Sequence, residues 1–208
     1  MSVDWANLTD EQLDAVDELW NSAAIKEGDA QAVASTMADS AILTLRAIWP
    51  DIETLDGVEL RQRLVEALPD VVEPHREASS AFAADYYETA RPAAAGAFAV
   101  VLARVLVFQD YRSMVGDAVS PMFQEVPNLV HTQEQVESGV ERLVMDGFRG
   151  TVQSSVEADP AALGWKRTLS PKACDFCVRM ARENPRSNQA FGSHDHCRCT
   201  ARPVFRSV

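Results

Sequence analysis

CDFCVRMARENPRSNQAFGSHDHCRC, residues 174–199, holds all four cysteines of the chain and two of its four histidines. Cys174-x-x-Cys177 places two thiols within reach of one ion, and after sixteen intervening residues come His194, His196, Cys197 and Cys199. A tetrahedral zinc site takes four ligands, usually two sequence-local pairs that meet when a loop closes. The second half is over-supplied. His194-x-x-Cys197 and His196-x-x-Cys199 share one spacing, and Cys197-x-Cys199 offers a pair by itself. The candidate ligands of a structural Zn2+ are therefore Cys174, Cys177, His194, His196, Cys197 and Cys199, of which four bind.

Three rival readings of the same residues are weaker. A thioredoxin-type redox pair wants its CxxC at a helix N-terminus after a strand, a position that Cys174 roughly meets. Redox folds do not ordinarily bring a second Cys/His cluster with them. Disulfides between the two pairs need an oxidising location, which nothing in the composition indicates. A Cys-His nucleophile has neither an acid partner nor an oxyanion motif to go with it.

Around the cluster the pattern changes period. GWKRTL from Gly164 reads as a short strand, Pro171 to Arg182 as a helix carrying the CxxC, and CTARPVF from Cys199 as a closing strand. A unit of about 45 residues buries little apolar area and usually needs a staple. Structural zinc supplies on the order of 10 kcal/mol of apparent binding free energy in small fingers, and that becomes folding free energy.

Charge draws the same boundary. Residues 1–162 carry 10 basic against 28 acidic side chains, whereas residues 163–208 carry 9 against 3, within a chain of net charge −12. The expected organisation is an acidic helical body, 1–162, and a basic Cys/His-rich α+β unit, 163–208. The fold class is mainly α. An acidic body argues against nucleic-acid binding over the whole surface and leaves a local contact open at Lys166, Arg167, Lys172, Arg179, Arg182, Arg186, Arg198, Arg202 and Arg206.

With 47% apolar and 24% charged residues the chain is globular. Its opening, MSVDWANLTD, lacks the form of a secretory signal. The longest apolar run, PAAAGAFAVVLA from Pro92, is too short to span a bilayer. The expectation is a soluble protein made in a reducing cytoplasm, with no membrane contact.

Upstream the periodicity is helical. Thr9 and Gln12 form a capping box ahead of Leu13, Val16, Trp20 and Ala23. A joint at Gly28-Asp29 precedes a helix ending at Pro50, and GVELRQRLVEAL forms another, ending before Pro69. VVEPHREASS then links to a helix over AFAADYYETA, and Pro92 opens a buried helix running toward Met114. SPMFQEVPN, from Ser120, is a loop. The clearest helix starts with a capping box at Thr132 and Gln135. It carries Val136, Val140, Val144, Phe148, Val152 and Val156 at intervals of four, joined by Leu143, until Asp159-Pro160 ends it. His75 and His131 stand alone and are expected on surface loops or caps. Tyr86, Tyr87 and Arg91 are expected to pack. No G-x-S-x-G or Ser/His/Asp set occurs, so an enzyme is not expected. These helices fit a bundle or an extended arm equally well.

GWKRTLSPKACDFCVRMA followed by SHDHCRCTARPVF resembles the C-terminal region of phage minor head proteins of the MuF-like type, especially those of actinobacterial tailed phages. His194, Cys197 and Cys199 match that family's H-x-x-C-x-C, and Cys174 and Cys177 match its upstream pair. AADYYETAR resembles the family's A-x-x-[FWY]-Y-x-x-x-R helix at Tyr87 and Arg91. The close match covers about 45 C-terminal residues. The resemblance implies a minor capsid protein of head morphogenesis, lodged inside the virion near the portal in more than one copy. Its partners would be the portal, other head proteins and packaged DNA. Relatives are sometimes fused to a maturation protease or a toxin domain, so the chain reads as a short form or as a piece of such a fusion. The alternative expectation is a zinc-dependent module that binds nucleic acid through the basic unit.

Overall fold

The computed structural model describes residues 27–55, 57–103, 108–119, 129–182, 190–194 and 196–206. The expected Thr9 capping box with its helix, and the SPMFQEVPN loop, lie outside the described residues. The elements run α1 (Glu27–Ile52), α2 (Gly57–Ala90), a 3-10 turn (Ala93–Ala95), α3 (Phe108–Val119), α4 (Leu129–Ala158), β1 (Ala162–Thr168), α5 (Asp175–Ala181) and β2 (Thr200–Phe205). Helices α1, α2 and α4 pack on one another, and α3 lies against α2 and α4. The helical part is thus a bundle. With the strand–helix–strand unit after it, the chain has the mainly helical class its sequence predicts.

Helix α4 forms the axis of this arrangement. Val136, Val140, Val144, Phe148, Val152 and Val156 are all buried. A step of four residues overshoots one helical turn by about 40°, so the stripe winds some half-turn round the helix from end to end. A single neighbour cannot cover such a stripe, and α1, α2 and the strand pair share it. Phe148 meets Phe82 and Tyr86 of α2 with ring centres 6.1 and 5.6 Å apart. At Gly147 a Cβ would sit 2.7 Å from the Arg76 carbonyl oxygen, so the missing side chain sets how closely α2 and α4 approach.

Prolines mislead the sequence reading at three places. Helix α1 has Gly28-Asp29 in its first described turn, the residues before Glu27 lying outside the described residues, and holds Pro50 in its last turn. The two helices and linker expected between Gly57 and Ala90 are one helix, with Pro69 and Pro74 inside it. An interior proline costs about 3 kcal/mol. Leu60, Leu64, Leu68, Val71 and Val72 on one side, and Phe82, Ala83, Tyr86 and Tyr87 on the other, all bury in the same core. At about 1.5–3 kcal/mol for each large side chain, burial outweighs both breaks. His75 lies inside α2 and not on a loop. Its Nδ1 donates to the Val71 carbonyl at 2.9 Å, which leaves Nε2 to accept from the Ser40 hydroxyl of α1 at 3.1 Å.

Pro92 does not begin a helix. A single 3-10 turn follows it, then Gly96 in the left-handed region (φ 77°), then chain outside any helix or strand to Ala103. The cause is Arg91, whose guanidinium donates to the carbonyls of both Ala95 and Gly96 and so takes acceptors a helix would need. Helix α4 begins at Leu129, so Thr132 is buried within it and does not cap it, and His131 lies in its first turn.

At the other end of α4, Asp159 collects Arg91 Nε at 2.6 Å, Arg91 Nη2 at 3.1 Å, the Tyr87 hydroxyl at 3.1 Å and the Ala161 N–H at 2.9 Å. The Arg91 guanidinium holds the Asp159 carboxyl below the usual carboxylate range. Burial, and then the Asp159 charge, push the Tyr87 phenol well up. This node ties the end of α2 to the turn that launches β1. Strand β1 pairs antiparallel with β2 in the register Trp165↔Pro203, Lys166↔Arg202 and Thr168↔Thr200, with a bulge between Ala162 and Gly164. Two strands alone are marginal in water, and these lean on α4 and α1.

Candidate metal centre

Strand β1 points the chain toward a turn at Pro171–Lys172, and the chain returns as α5. This helix is shorter than expected. Cys174 stands just before it and Cys177 in its first turn. His194, Cys197 and Cys199 come back on the segment that feeds β2, and Thr200, the first residue of that strand, pairs with Thr168. Strand pairing therefore carries the second half of the cluster to the first.

Five of the six candidate ligands meet, in two overlapping groups: Cys174, Cys177 and His194, and Cys177, Cys197 and Cys199. His194 Nε2 is 3.1 Å from Cys174 Sγ and 3.2 Å from Cys177 Sγ, and the sulfurs of Cys177 and Cys197 are 3.7 Å apart. A tetrahedron with Zn–S near 2.3 Å and Zn–N near 2.05 Å has edges of about 3.7 Å between sulfurs and about 3.5 Å from sulfur to nitrogen. All four cysteines are free thiols. The cluster can hold a metal ion.

His196 is not brought in. Its backbone is left-handed (φ 56°), its side chain is 67% exposed, and Nδ1 lies 3.5 Å from Glu141 Oε2. Its N–H donates to Ser138 Oγ of α4, which turns the ring away from the sulfurs.

A buried cation faces the thiols. Arg167 Nη1 is 3.5 Å from Cys177 Sγ and 3.6 Å from Cys197 Sγ, and Nη2 donates to the carbonyls of Phe191 and Gly192. The guanidinium stacks on Phe191 at 3.8 Å, and its Nε has no partner. Among the described residues no carboxylate pairs with it. An uncompensated buried charge is costly, and sulfur is the acceptor within reach that can become anionic. A divalent cation bound by three thiolates and one neutral imidazole would carry −1, which Arg167 would balance.

The four sulfurs differ in how readily they charge. Burial and the Cys197 charge push Cys177 up to about 11. The hydrogen bond shared with Cys199, then burial, pushes Cys197 up to about 12. That same bond, with the Ser170 N–H 3.4 Å from its sulfur, draws Cys199 down to about 6. Backbone N–H groups at the start of α5 lower Cys174.

Two further arginines, outside the predicted ligand set, hold the returning chain. Arg149 of α4, wholly buried, donates from Nε to the Cys199 carbonyl at 2.9 Å and from Nη2 to the Cys197 carbonyl. Arg198, between those cysteines, reaches outward to Asp39 of α1 at 2.5 and 3.0 Å and to Glu141 of α4 at 2.8 Å. Composition alone counts Arg198 as tail charge and Arg149 as one of the few basic residues of the acidic body. For Arg167 a local signal existed: two residues from Trp165, it shares the inward face of β1.

Residues 22–207 match the model of a family described as VG15 protein. No curated protein and no solved structure matches the chain.

Proposed function

Because the chain belongs to the VG15 protein family, a family of viral proteins, we propose that it is a structural, non-catalytic minor component of a tailed-phage head. In this reading it is made in the host cytoplasm and lodged in more than one copy inside the capsid near the portal. A zinc ion fixes its C-terminal unit. The observation that supports an architectural role is the gathering of five protein donors in two overlapping triads that share Cys177, with the sulfurs of Cys177, Cys197 and Cys199 buried. We assign the ligands as Cys174, Cys177, His194 and Cys197. Cys177–Cys197 has the length of a tetrahedral edge, while Cys199 is engaged by the N–H and hydroxyl of Ser170. The ion would supply no reaction. It would turn a short helix and a returning loop into a fixed surface for head or portal proteins. The resemblance to MuF-like minor head proteins supports the location.

The test has two arms. Mass spectrometry of purified virions of a phage encoding this chain should find it well below the copy number of the major capsid protein. A phage carrying Cys177→Ser should assemble heads that lack it. Absence from wild-type virions would refute the reading.

One observation favours a DNA contact as a second role. Lys166 and Arg202 stand directly across the strand pair, which concentrates positive charge there. Full-length protein should then bind duplex DNA with an affinity that falls steeply with salt, and Lys166→Gln should lower the salt slope by about one. No binding at low salt removes this role and leaves the architectural one intact.

A further inference from the structure

Five donors gather where a tetrahedral ion takes four. The two triads share Cys177 and differ in their surroundings. In the outer one, Cys174 is the only exposed cysteine of the chain and stands just before α5, and His194 is half-buried. The inner one, Cys177, Cys197 and Cys199, is buried throughout. Its backbone is pinned from the bundle. Arg149 of α4 donates from Nε to the Cys199 carbonyl at 2.9 Å and from Nη2 to the Cys197 carbonyl. The Cys199 sulfur is held as well, since the Ser170 N–H lies 3.4 Å from it and its thiol donates to Ser170 Oγ at 3.8 Å. None of these contacts involves Cys174, so Cys199 stays beside Cys177 and Cys197 whether or not Cys174 keeps its place.

We propose that Cys199 is a stand-in ligand: it replaces Cys174 on the zinc ion, so that the site can give up its one exposed donor without giving up its metal. The inference rests on the zinc reading above. Cys177, Cys197 and His194 belong to both ligand sets, and the Cys177–Cys197 edge of 3.7 Å is common to them. The protons balance. Cys199 loses its thiol proton on binding the ion, and Cys174 takes one up on leaving. The Ser170 hydroxyl, which accepts from the Cys199 thiol, can turn and donate to the thiolate instead. Three thiolates and one imidazole remain on the ion. Arg167, 3.5 and 3.6 Å from the sulfurs of Cys177 and Cys197, therefore faces the same charge before and after the exchange. An exposed thiolate is open to modification from solvent. The exchange keeps the strand pair and the returning segment fixed when Cys174 is modified.

Native mass spectrometry of the zinc-loaded full chain tests this with a double-mutant cycle. Cys174→Ser and Cys199→Ser should each keep one zinc ion per chain. The double variant should lose it, with an affinity loss beyond the roughly 100-fold that disturbing an outer-shell contact costs. In the wild type, iodoacetamide should alkylate Cys174 first and leave the ion bound. In Cys199→Ser the same single alkylation should release the ion to a chromogenic chelator. This second arm starts from folded protein, so it decides the matter should the double variant fail to fold. Zinc lost from Cys174→Ser or from the singly alkylated wild type overturns the proposal, and so does zinc kept by the double variant. Two ions on one chain overturn it too, since the triads would then fill separately. A wild type that binds no zinc refutes the zinc reading together with this inference, whereas the other failures strike the inference alone.

Discussion

The bundle and the C-terminal unit are stabilised in different ways, although they share α4 as a wall. In the bundle, apolar burial is large enough to override local signals. Pro69 and Pro74 sit inside α2 because the leucines, valines and aromatics on both sides reach one core. In the C-terminal unit the buried groups are the sulfurs of Cys177, Cys197 and Cys199 and the guanidiniums of Arg149 and Arg167, with Trp165 and Phe191 stacked beside them. A core of that kind has little apolar area. A cation held among the sulfurs would tie its strands and short helix together.

If this contrast is right, removing the metal should separate the two regions. A strong chelator should abolish exchange protection in β1, α5 and β2 and shift Trp165 emission to the red, while α1, α2 and α4 keep their helical signal. The free energy at stake is on the order of 10 kcal/mol. Simultaneous loss of both regions would show that they are not stabilised separately.

The next largest effect belongs to the joint between them. Asp159→Asn leaves Arg91 and Tyr87 without their anion and should cost about 3 kcal/mol in urea unfolding. Because the Asp159 carboxyl is lowered in the folded protein, its contribution is complete above the ordinary carboxylate range and vanishes as pH falls through the lowered folded value. The gap between wild type and variant should therefore close in acid. A gap unchanged by acid would contradict the ion pair.

Arg149→Met should cost about 2 kcal/mol, since it strips the donors from two buried carbonyls in the Cys197–Cys199 segment. It should also weaken zinc retention, a readout that a bundle substitution would not move. Gly147→Ala should cost about 1–3 kcal/mol by forcing α2 from α4, with zinc content unchanged. His196→Ala should change stability by less than about 0.5 kcal/mol and leave zinc binding at the wild-type level. Zinc loss in His196→Ala would put that residue in the ligand set after all.

The sequence shows these regions unequally. The stripe on α4 is visible because six residues repeat at one interval, and the strands around the cluster are visible through their flanking aromatic and proline residues. The continuous α2 is not visible, because proline is a local signal and the burial that overrules it depends on α1 and α4. Similarly, six candidate ligands can be read from spacing, but the exclusion of His196 depends on the Ser138 hydroxyl and the Glu141 carboxylate, 58 and 55 residues away in the chain. The arginines around the centre are the least visible. Nothing in the composition distinguishes Arg149, buried under Cys199, from an arginine in solvent.

Native mass spectrometry of the freshly purified, fully reduced chain tests the central claim most directly. One zinc ion per chain should be found, retained in Cys199→Ser and lost in Cys177→Ser and Cys197→Ser. A wild-type chain free of metal whose β1, α5 and β2 amides are nonetheless protected from exchange would contradict the account.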